Sequence, residues 1–406
     1  MRIVVVADWF SEKMGYSENC LPKALASLGH EVHLVTTEAQ VYYNQPTYRA
    51  TYEPFIGPPI VPRVVKAHDG YTLHRLPIGG NHKLWRSGRY IKHLFRTLAV
   101  LRPEIVQALD VDCQSTRDLA LAKPLLRYRL FLEAHTHASV FSPGPKSKKL
   151  LGKARTRIVG ALGRLASRAS VKCYAISADA AAIAVDHLGM ASDKVEVMSL
   201  GVDTDLFRPA TDGSAQQARR QLRGRLGFAD SDIVCVYTGR LSSDKGPLLL
   251  AQAVDQLAKQ GLPYRGLFVG SGPQADIESI KSCQGCRVSA FVPFRDLPPY
   301  YQVADIGVWP KQESTSQLDA AACGLPIIIS DRTDVPERID GNGLTYNEPD
   351  AADLAAKLLS LRDPELRRRM GAIGSARIRE RFSWTVLARK RIEDYATSLR
   401  SSAGRD

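Results

Sequence analysis

The sequence of 406 residues contains no apolar run that approaches the roughly 20 residues a bilayer-spanning helix needs. Neither GxGxxG nor GxxxxGKS/T occurs, which argues against a standard dinucleotide dehydrogenase and a P-loop enzyme. The seven cysteines are scattered except for Cys283 and Cys286, and one CxxC without a second pair is at most half of a zinc site. Unpaired cysteines and the lack of a signal peptide predict a protein of the reducing cytosol.

Acidic residues are too few to balance the basic ones, 42 against 55, so the net charge is +13 and an anionic partner is expected. Residues 82–96 hold five lysines and arginines, residues 146–168 hold eight, and neither segment holds an acid. Both carry apolar residues at helical spacing. Each is therefore either a helix on an anionic bilayer or a surface helix with solvated charges. Neither interleaves exposed aromatic residues, which argues against nucleic acid.

Short apolar runs alternate with helical patterns along both halves of the chain. The first half contains RIVVVADWF, EVHLVTT, EIVQALD and RLFLEAH, and the second contains IVCVYTGR, RGLFVGSG, CRVSAF, DIGVWP and LPIIIS. This alternation is typical of parallel sheets covered by helices. The polar stretch 208–232 interrupts the series. The sequence therefore predicts two α/β domains whose sheets face a central cleft.

Two cations follow the first apolar run of the second half. In VYTGRLSSDKG, Arg240 and Lys245 stand five residues apart in a glycine-containing loop. At the carboxyl end of a parallel strand they can hold a diphosphate, arginine through its planar fork and lysine as a point charge. The FVGSGP turn would let the backbone at Gly270 approach a ligand, although one GxG pattern alone indicates only a tight turn.

The segment 309–331, WPKQESTSQLDAAACGLPIIISD, predicts a short helix with acidic residues at its start. Ser316 and Asp319 have the spacing of a capping box. The helix N-terminus suits a phosphate, and Glu313 can accept hydrogen bonds from hydroxyls. A site that binds phosphate at the helix N-terminus and hydroxyls at a carboxylate suits a nucleotide sugar. A cap with no further role is the alternative for Asp319.

At this point the chain resembles a known family. It contains, in the order seen in family 4 glycosyltransferases, the segments GVDTDLFRP, GRLSSDKG, LPPYYQVADIGVWP, DAAACGLPIIISD and RERFSWTVLARKRIEDY. That family comprises retaining enzymes of the GT-B fold, which has two Rossmann-like domains. The resemblance implies an acceptor-side domain over 1–204 and a nucleotide-sugar-binding domain over 205–384. A final helix, 385–406, would pack back on the first domain.

The resemblance also implies roles for the second half. Arg240 and Lys245 would bind the donor diphosphate, Glu313 would contact the donor sugar, and Asp319 would hold the nucleotide ribose. Gly270 and Ser316 would belong to the same donor site. The family's two glutamates are separated by seven residues, whereas Glu313 and Asp319 are separated by five. Counting back from ACG places Lys311 at the first glutamate position.

The family places a histidine at the end of a strand in the first domain. LEAHTHAS offers His135 and His137, and spacing cannot choose between them, because both point to one face of a strand. His135 is preferred because it directly ends the apolar run. Gly15 stands where the family often has a glycine pair, and its N–H can still face a phosphate or the acceptor.

The resemblance implies a retaining, hexosyltransferase-type enzyme with His135, Glu313, Arg240 and Lys245 as its catalytic residues. No metal or cofactor is expected, because two fixed cations face the diphosphate and no DxD pair stands beside them. The basic segments favour a lipid-linked or membrane-associated acceptor in cell-surface glycan, lipopolysaccharide or glycolipid biosynthesis, on the inner face of the cell membrane. The alternatives are a soluble small-molecule acceptor, a GT-B sugar-nucleotide epimerase and a non-catalytic sugar-nucleotide sensor.

Overall fold

The structure is a computed structural model that describes residues 1–80, 90–137, 163–311, 313–333, 335 and 338–403. The chain divides into an N-terminal unit, Met1–Leu200 with Trp384–Asp406, and a C-terminal unit, Gly201–Ser383. Each unit has its own sheet and its own hydrophobic core. Among the described residues, no helix combines the length and the apolar character that crossing a bilayer requires.

The N-terminal unit is built on a large sheet. Its described strands are β1 (Arg2–Val6), β2 (Glu31–Thr37), β3 (Val64–His68), β4 (Tyr71–Leu76), β5 (Ile78–Gly79), β6 (Tyr90–Ile91), β7 (Ile105–Ala108), β8 (Arg129–Ala134), β9 (Ser170–Ala175) and β10 (Val195–Val197). Eight of them form a sheet in the order β10-β9-β8-β7-β1-β2-β4-β3, which is parallel except for β3. Residues 3–6 of β1 pair with 32–35 of β2 and 105–108 of β7. They are buried on both faces of the sheet, which explains their continuous apolar run.

The C-terminal unit contains a second, fully parallel sheet. Its strands are β11 (Ile233–Thr238), β12 (Tyr264–Val269), β13 (Cys286–Ser289), β14 (Ile306–Trp309), β15 (Ile327–Ser330) and β16 (Gly343–Tyr346). Their order is β13-β12-β11-β14-β15-β16. The two parallel sheets confirm the predicted fold class.

Helices connect most of the strands in both units. The described α-helices are α1 (Ser17–Ser27), α2 (Tyr48–Thr51), α3 (Glu53–Ile56), α4 (Leu94–Leu101), α5 (Gln114–Leu126), α6 (Ala178–Asp186), α7 (Gly213–Arg225), α8 (Pro247–Lys259), α9 (Gln274–Lys281), α10 (Pro298–Gln302), α11 (Ser316–Ala322), α12 (Ala351–Ser360), α13 (Pro364–Arg377) and α14 (Trp384–Ala403). The last of these belongs to the N-terminal unit, where it packs on α1 and β8.

The polar stretch 208–232 contains α7, a helix that its composition did not reveal. Asp212 caps it by accepting a hydrogen bond from the Ala215 N–H at 2.8 Å. Two arginines then anchor α7 to Asp305, the residue directly before β14. Their guanidinium groups lie 2.9 Å (Arg219) and 3.2 Å (Arg223) from the Asp305 carboxylate. Arg219 and Arg223 therefore hold α7 to the residue that precedes β14.

The prediction of one amphipathic helix over 82–96 is wrong for its described part. Tyr90 and Ile91 form β6 and pair with β5, and His93 is left-handed with φ 65°, which interrupts helical geometry. The helix α4 begins only at Leu94. In the other basic segment, 146–168, only residues 163–168 fall within the described ranges, and they are helical.

Candidate active site

The carboxyl ends of β11 and β14 mark the point where the second sheet changes direction. The chain adds β12 and β13 on one side of β11, and β15 and β16 on the other side of β14, and the two strands are neighbours. Ligands of open parallel sheets bind in the crevice at such a point. The segments that follow these two strands hold five of the predicted residues: Arg240, Lys245, Glu313, Ser316 and Asp319.

Arg240 and Lys245 are two cations of one loop with different surroundings. The exposed Arg240 guanidinium pairs with Asp244 at 3.0 Å, and the Ser242 hydroxyl donates to that carboxylate at 2.6 Å. Within the described part of the chain, the half-buried Lys245 ammonium group forms no hydrogen bond or ion pair. Burial and then the charge of Arg240 lower the pKa of Lys245, against the opposite pull of Asp244 and Glu313. A bound anion would stabilise both cations, because it offsets their mutual repulsion and the partial desolvation of Lys245.

A third cation reaches the same loop. Gly246 has φ +68°, and a Cβ placed there would lie 2.8 Å from Cγ of Lys311. The Lys311 ammonium group donates a hydrogen bond to the Ser243 carbonyl at 3.2 Å. Lys311, which counting from ACG placed at a glutamate position, therefore lies across the loop that carries Lys245.

Gly270 is needed for contact between two loops of the C-terminal unit. It has φ +155°, and a Cβ there would lie 1.9 Å from the Gly239 carbonyl oxygen. The Leu241 N–H also donates to the Ser271 carbonyl at 2.8 Å, so the loops after β11 and β12 pack backbone to backbone. The space on the Cβ side of Gly270 is filled by the neighbouring loop, and the approach of a ligand to its backbone stays a prediction.

The carboxylate of Glu313 is held by an arginine that sequence analysis missed. The Arg338 guanidinium pairs with Glu313 and also donates to the Ser314 carbonyl at 3.1 Å and to Gln317 Oε1 at 3.0 Å. Arg338 is buried, with 3% of its side chain exposed, whereas 20% of the Glu313 side chain is exposed. The buried Arg338 thus holds the carboxylate of Glu313 in place. The negative charge of that carboxylate also raises the pKa of Lys245.

The predicted capping box of Ser316 and Asp319 is wrong. Thr315 is the N-cap of α11 and already has helical angles, φ −61° and ψ −27°. Ser316 is therefore inside the helix, and its N–H donates to the Ser314 hydroxyl at 3.3 Å. The Asp319 N–H donates to the Thr315 carbonyl at 3.2 Å, as an ordinary helix bond, and its carboxylate caps no N–H group of the described residues.

Asp319 is a buried carboxyl group without a partner in the described ranges. Only 6% of the residue is exposed, and its carboxylate forms no hydrogen bond or ion pair there. Burial and then the charge of Asp203 raise the pKa of Asp319 to about 8. Nearby, the Tyr301 hydroxyl bonds the Thr238 hydroxyl at 2.7 Å, and burial and then Asp319 raise the pKa of Tyr301. Asp319 is available to accept hydrogen bonds from ligand hydroxyls.

In the N-terminal unit, the sheet changes direction between β1 and β7. Gly15 lies in the segment that follows β1, two residues before α1 begins. His135 directly follows β8, the neighbour of β7, and its Nε2 lies 2.6 Å from Oε2 of Glu133. Burial, the largest single effect, lowers the pKa of His135, but the bond to Glu133 and the charges of Glu133, Asp110 and Glu18 together outweigh it, so the net pKa is raised.

His137 has a different and weaker set of partners. Its Nδ1 lies 3.3 Å from both carboxylate oxygens of Asp179 and 3.4 Å from the Ser177 hydroxyl. The exposed fractions of the His135 and His137 side chains are similar, 26% and 27%. Glu133, which holds His135, is fully buried, whereas 41% of the side chain of Asp179, which contacts His137, is exposed.

Two sequence models match the chain. Residues 21–206 match the model described as Glycosyltransferase Family 4, and residues 232–363 match the model described as Glycosyl transferases group 1.

Curated relatives are similar over about half of their length. Spore coat protein SA of Bacillus subtilis is 29% identical over 50% of this chain and 59% of its own. The D-inositol 3-phosphate glycosyltransferase of Streptomyces bingchenggensis is 30% identical over 60% of this chain and 55% of its own. The GDP-mannose-dependent monoacylated alpha-(1-6)-phosphatidylinositol monomannoside mannosyltransferase of Corynebacterium glutamicum is 28% identical over 48% and 54%.

Solved structures share the fold along almost the whole chain. HepE of Anabaena, in complex with UDP, has a TM-score of 0.67 with 17% identity, covering 98% of this chain and 100% of its own. WaaG, a glycosyltransferase involved in lipopolysaccharide biosynthesis, has a TM-score of 0.64 with 15% identity, covering 96% and 98%. The architecture is therefore the GT-B fold.

Proposed function

The chain belongs to family 4 of the glycosyltransferases, and from this premise we propose that it transfers a hexose, with retention, from a nucleotide-diphosphate sugar. The observation that carries the proposal is the group of ionisable side chains at the switch point of the second sheet. Arg240 and Lys245, which has no ion-pair partner among the described residues, stand there with Asp319, whose carboxyl group can accept hydroxyl donors.

The proposed mechanism assigns each charge a task. As the glycosidic bond breaks, negative charge grows on the leaving diphosphate, and Arg240 and Lys245 stabilise it more in the transition state than in the ground state. Glu313, fixed by Arg338, orients the sugar through its hydroxyls, and Asp319 accepts hydrogen bonds from the ribose. His135 steadies the sugar or the acceptor. Arg240 and Lys245 neutralise the negative charge of the leaving diphosphate, so the proposed chemistry requires no metal.

Nucleotide binding tests the proposal directly. UDP, GDP, ADP, CMP and TDP are added to the wild type, Arg240→Ala and Lys245→Ala, and the melting temperature is measured. One nucleotide is expected to raise it, with most of the gain lost in both variants, because each removes a charge-assisted bond of about 1.5–3 kcal/mol. We expect UDP or GDP, since the structural relative HepE binds UDP and the C. glutamicum relative uses GDP-mannose.

Lys259→Ala is the matched control. Lys259 is an exposed lysine of α8 that pairs with Asp255 in the same unit, so its loss should leave the nucleotide shift unchanged. No shift from any nucleotide at millimolar concentration would refute the diphosphate site. A shift without release of nucleotide diphosphate in the presence of candidate acceptors would favour the sensor, and conversion of the sugar nucleotide without any acceptor would favour the epimerase.

We further propose a lipid-linked or membrane-associated acceptor, because two helices of the N-terminal unit that contact each other, α4 and α5, carry exposed apolar and basic side chains. On these two helices, which we call the α4–α5 surface, 61% of Leu121 and 79% of Leu125 are exposed, as are large fractions of Phe95 and Val100. Exposed cations lie on or beside the same helices: Lys92, Arg96, Arg102 and Arg127. Apolar side chains rimmed by cations are typical of surfaces that bind anionic lipid. The C. glutamicum relative acts, by its name, on a phosphatidylinositol glycolipid.

Vesicle binding tests this acceptor class. The Leu121→Ser/Leu125→Ser variant is expected to bind vesicles containing phosphatidylglycerol at least about tenfold more weakly than the wild type, since each exposed leucine loses its burial in lipid. Sedimentation with vesicles gives the partition coefficient. The matched control is Val65→Ser/Val197→Ser, two exposed valines on β3 and β10 of the same unit. Equal binding by both variants would remove the α4–α5 surface from the proposal.

A soluble acceptor is the second candidate, because the Streptomyces relative acts, by its name, on D-inositol 3-phosphate. The groups near His135 disfavour a phosphorylated acceptor, since Glu18 and Asp110 are both carboxyl groups in its electrostatic surroundings. Product analysis with inositol phosphate and with lipid extract, each added with the donor that binds, separates the two classes.

A further inference from the structure

His135 is supported by a carboxylate in the interior of the N-terminal unit. Glu133 lies on β8 and is fully buried. Its Oε2 accepts hydrogen bonds from His135 Nε2 at 2.6 Å and from the Ser17 hydroxyl of α1 at 3.1 Å. Its Oε1 accepts one from the Arg391 guanidinium of α14. Both oxygens of one carboxylate are therefore engaged, by groups from three parts of the unit.

Arg391 is the cation that allows Glu133 to be charged in the interior. It is itself buried, and its guanidinium lies over the ring of Tyr174, 4.6 Å from the centroid. A carboxylate removed from water stays ionised only when a cation and hydrogen bonds compensate the lost hydration. The final helix thus brings to Glu133 a charge from 258 residues further along the chain.

We propose that Arg391 and Ser17 are positioning residues that orient His135 through Glu133. An ionised carboxylate only accepts hydrogen bonds, so Glu133 holds the imidazole with its Nε2–H directed inward. Nδ1 is then the nitrogen that faces the substrate, in the way that an outer partner fixes the ring of a ligating histidine. The inference rests on the proposed function, because it takes His135 to contact the donor or the acceptor.

The charges around His135 determine what its Nδ1 can do. Glu133 faces it from β8, Glu18 from the first turn of α1, and Asp110 from the residues after β7. Burial alone lowers the pKa of His135, and the bond to Glu133 followed by these charges raises it above its ordinary value. Arg391 and His135 hold the pKa of Glu133 at about 2, although burial opposes this. Below its raised pKa, His135 is an imidazolium whose Nδ1–H donates to a substrate oxygen.

An NMR titration of His135 in the full-length protein tests the positioning role. We expect Glu133→Gln to lower the pKa of His135 by about one unit or more, because it removes the charge that stabilises the imidazolium. We also expect kcat to fall about tenfold or more, with the KM for the donor changed less than about threefold. Arg391→Lys should retain part of the raised pKa of His135 and part of kcat, since it keeps the positive charge. Arg391→Met should lose both the raised pKa and the activity.

Asp394→Asn is the matched control on the same helix. Asp394 lies one turn beyond Arg391 and accepts from the Tyr174 hydroxyl at 2.8 Å, so its loss should leave the His135 titration unchanged. If Arg391→Met does not fold, Arg391→Met/Glu133→Gln takes its place, because it removes both buried charges together. An unchanged His135 titration in folded Glu133→Gln would overturn the inference. Failure of every nucleotide to bind would instead overturn the proposed function, with the titration result still standing.

Discussion

Asp319→Asn is expected to make the ligand-free protein more stable at pH 8 and to weaken the dependence of its stability on pH. Burial and then the charge of Asp203 raise the pKa of Asp319 to about 8 in the folded protein, from an ordinary value of 3.8. The unfolded chain therefore loses this proton near pH 4, while the folded chain retains it until near pH 8. The free energy of unfolding falls as the pH rises through that interval, on the order of 4 kcal/mol from pH 4 to pH 7.

Urea denaturation of the wild type and Asp319→Asn at pH 5, 7 and 8 measures this effect. Asparagine has no proton to lose, so the variant should lack this part of the decline. Asp230→Asn, which removes an exposed carboxyl group of the same unit, is the control and should follow the wild type. If Asp319→Asn also declines like the wild type, Asp319 does not carry a proton into the neutral range.

Nucleotide binding should reverse the protonation of Asp319. Ribose hydroxyls donate to the ionised carboxylate, so binding lowers the pKa of Asp319 and releases roughly 0.9 proton at pH 7. Isothermal titration calorimetry in buffers of different ionisation enthalpy counts that proton. In Asp319→Asn, we expect no proton release and an affinity lower by about tenfold or more. Proton release that persists in the variant would assign it to another group.

The fold was predictable because its signals are local. Each buried strand of a parallel sheet is a short, continuous apolar run, and EVHLVTT became β2 over the same seven residues. The loop after β11 was predictable for the same reason, since Arg240 and Lys245 follow an apolar run directly. These predictions needed only a residue and its immediate neighbours.

Two kinds of feature could not be predicted from the sequence. One is the choice among neighbouring residues that could each cap a helix, and the other is a contact with a residue far along the chain. Ser314, Thr315 and Ser316 are three consecutive capping residues, so spacing alone could not identify Thr315 as the cap. The partner of Glu313 lies 25 residues away, and that of Glu133 lies 258 residues away. The Glu133 and His135 pair had a local signal, since residues two apart in a strand share a face.

Arg338→Met is expected to lower the free energy of unfolding by about 3–5 kcal/mol, the cost of removing one partner of a buried ion pair. Three groups lose a bond together: the Glu313 carboxylate, the Ser314 carbonyl and Gln317 Oε1. All lie at or beside the start of α11. The variant should therefore also bind the sugar nucleotide more weakly than the wild type, and the loss should be larger for the sugar nucleotide than for the free nucleotide diphosphate.

Urea denaturation and calorimetry of the same samples separate the two effects. Arg368→Met is the control, because Arg368 is 65% exposed and pairs with Glu365, which is 71% exposed, so its loss should cost less than about 1 kcal/mol. Arg338→Met/Glu313→Gln should recover part of the stability, since it removes the carboxylate left without this cation, but none of the preference for the sugar. If the double variant recovers both the stability and the preference for the sugar nucleotide, Glu313 supports α11 and does not contact the donor sugar. If Arg338→Met costs no more than the control, the pair contributes little to either property.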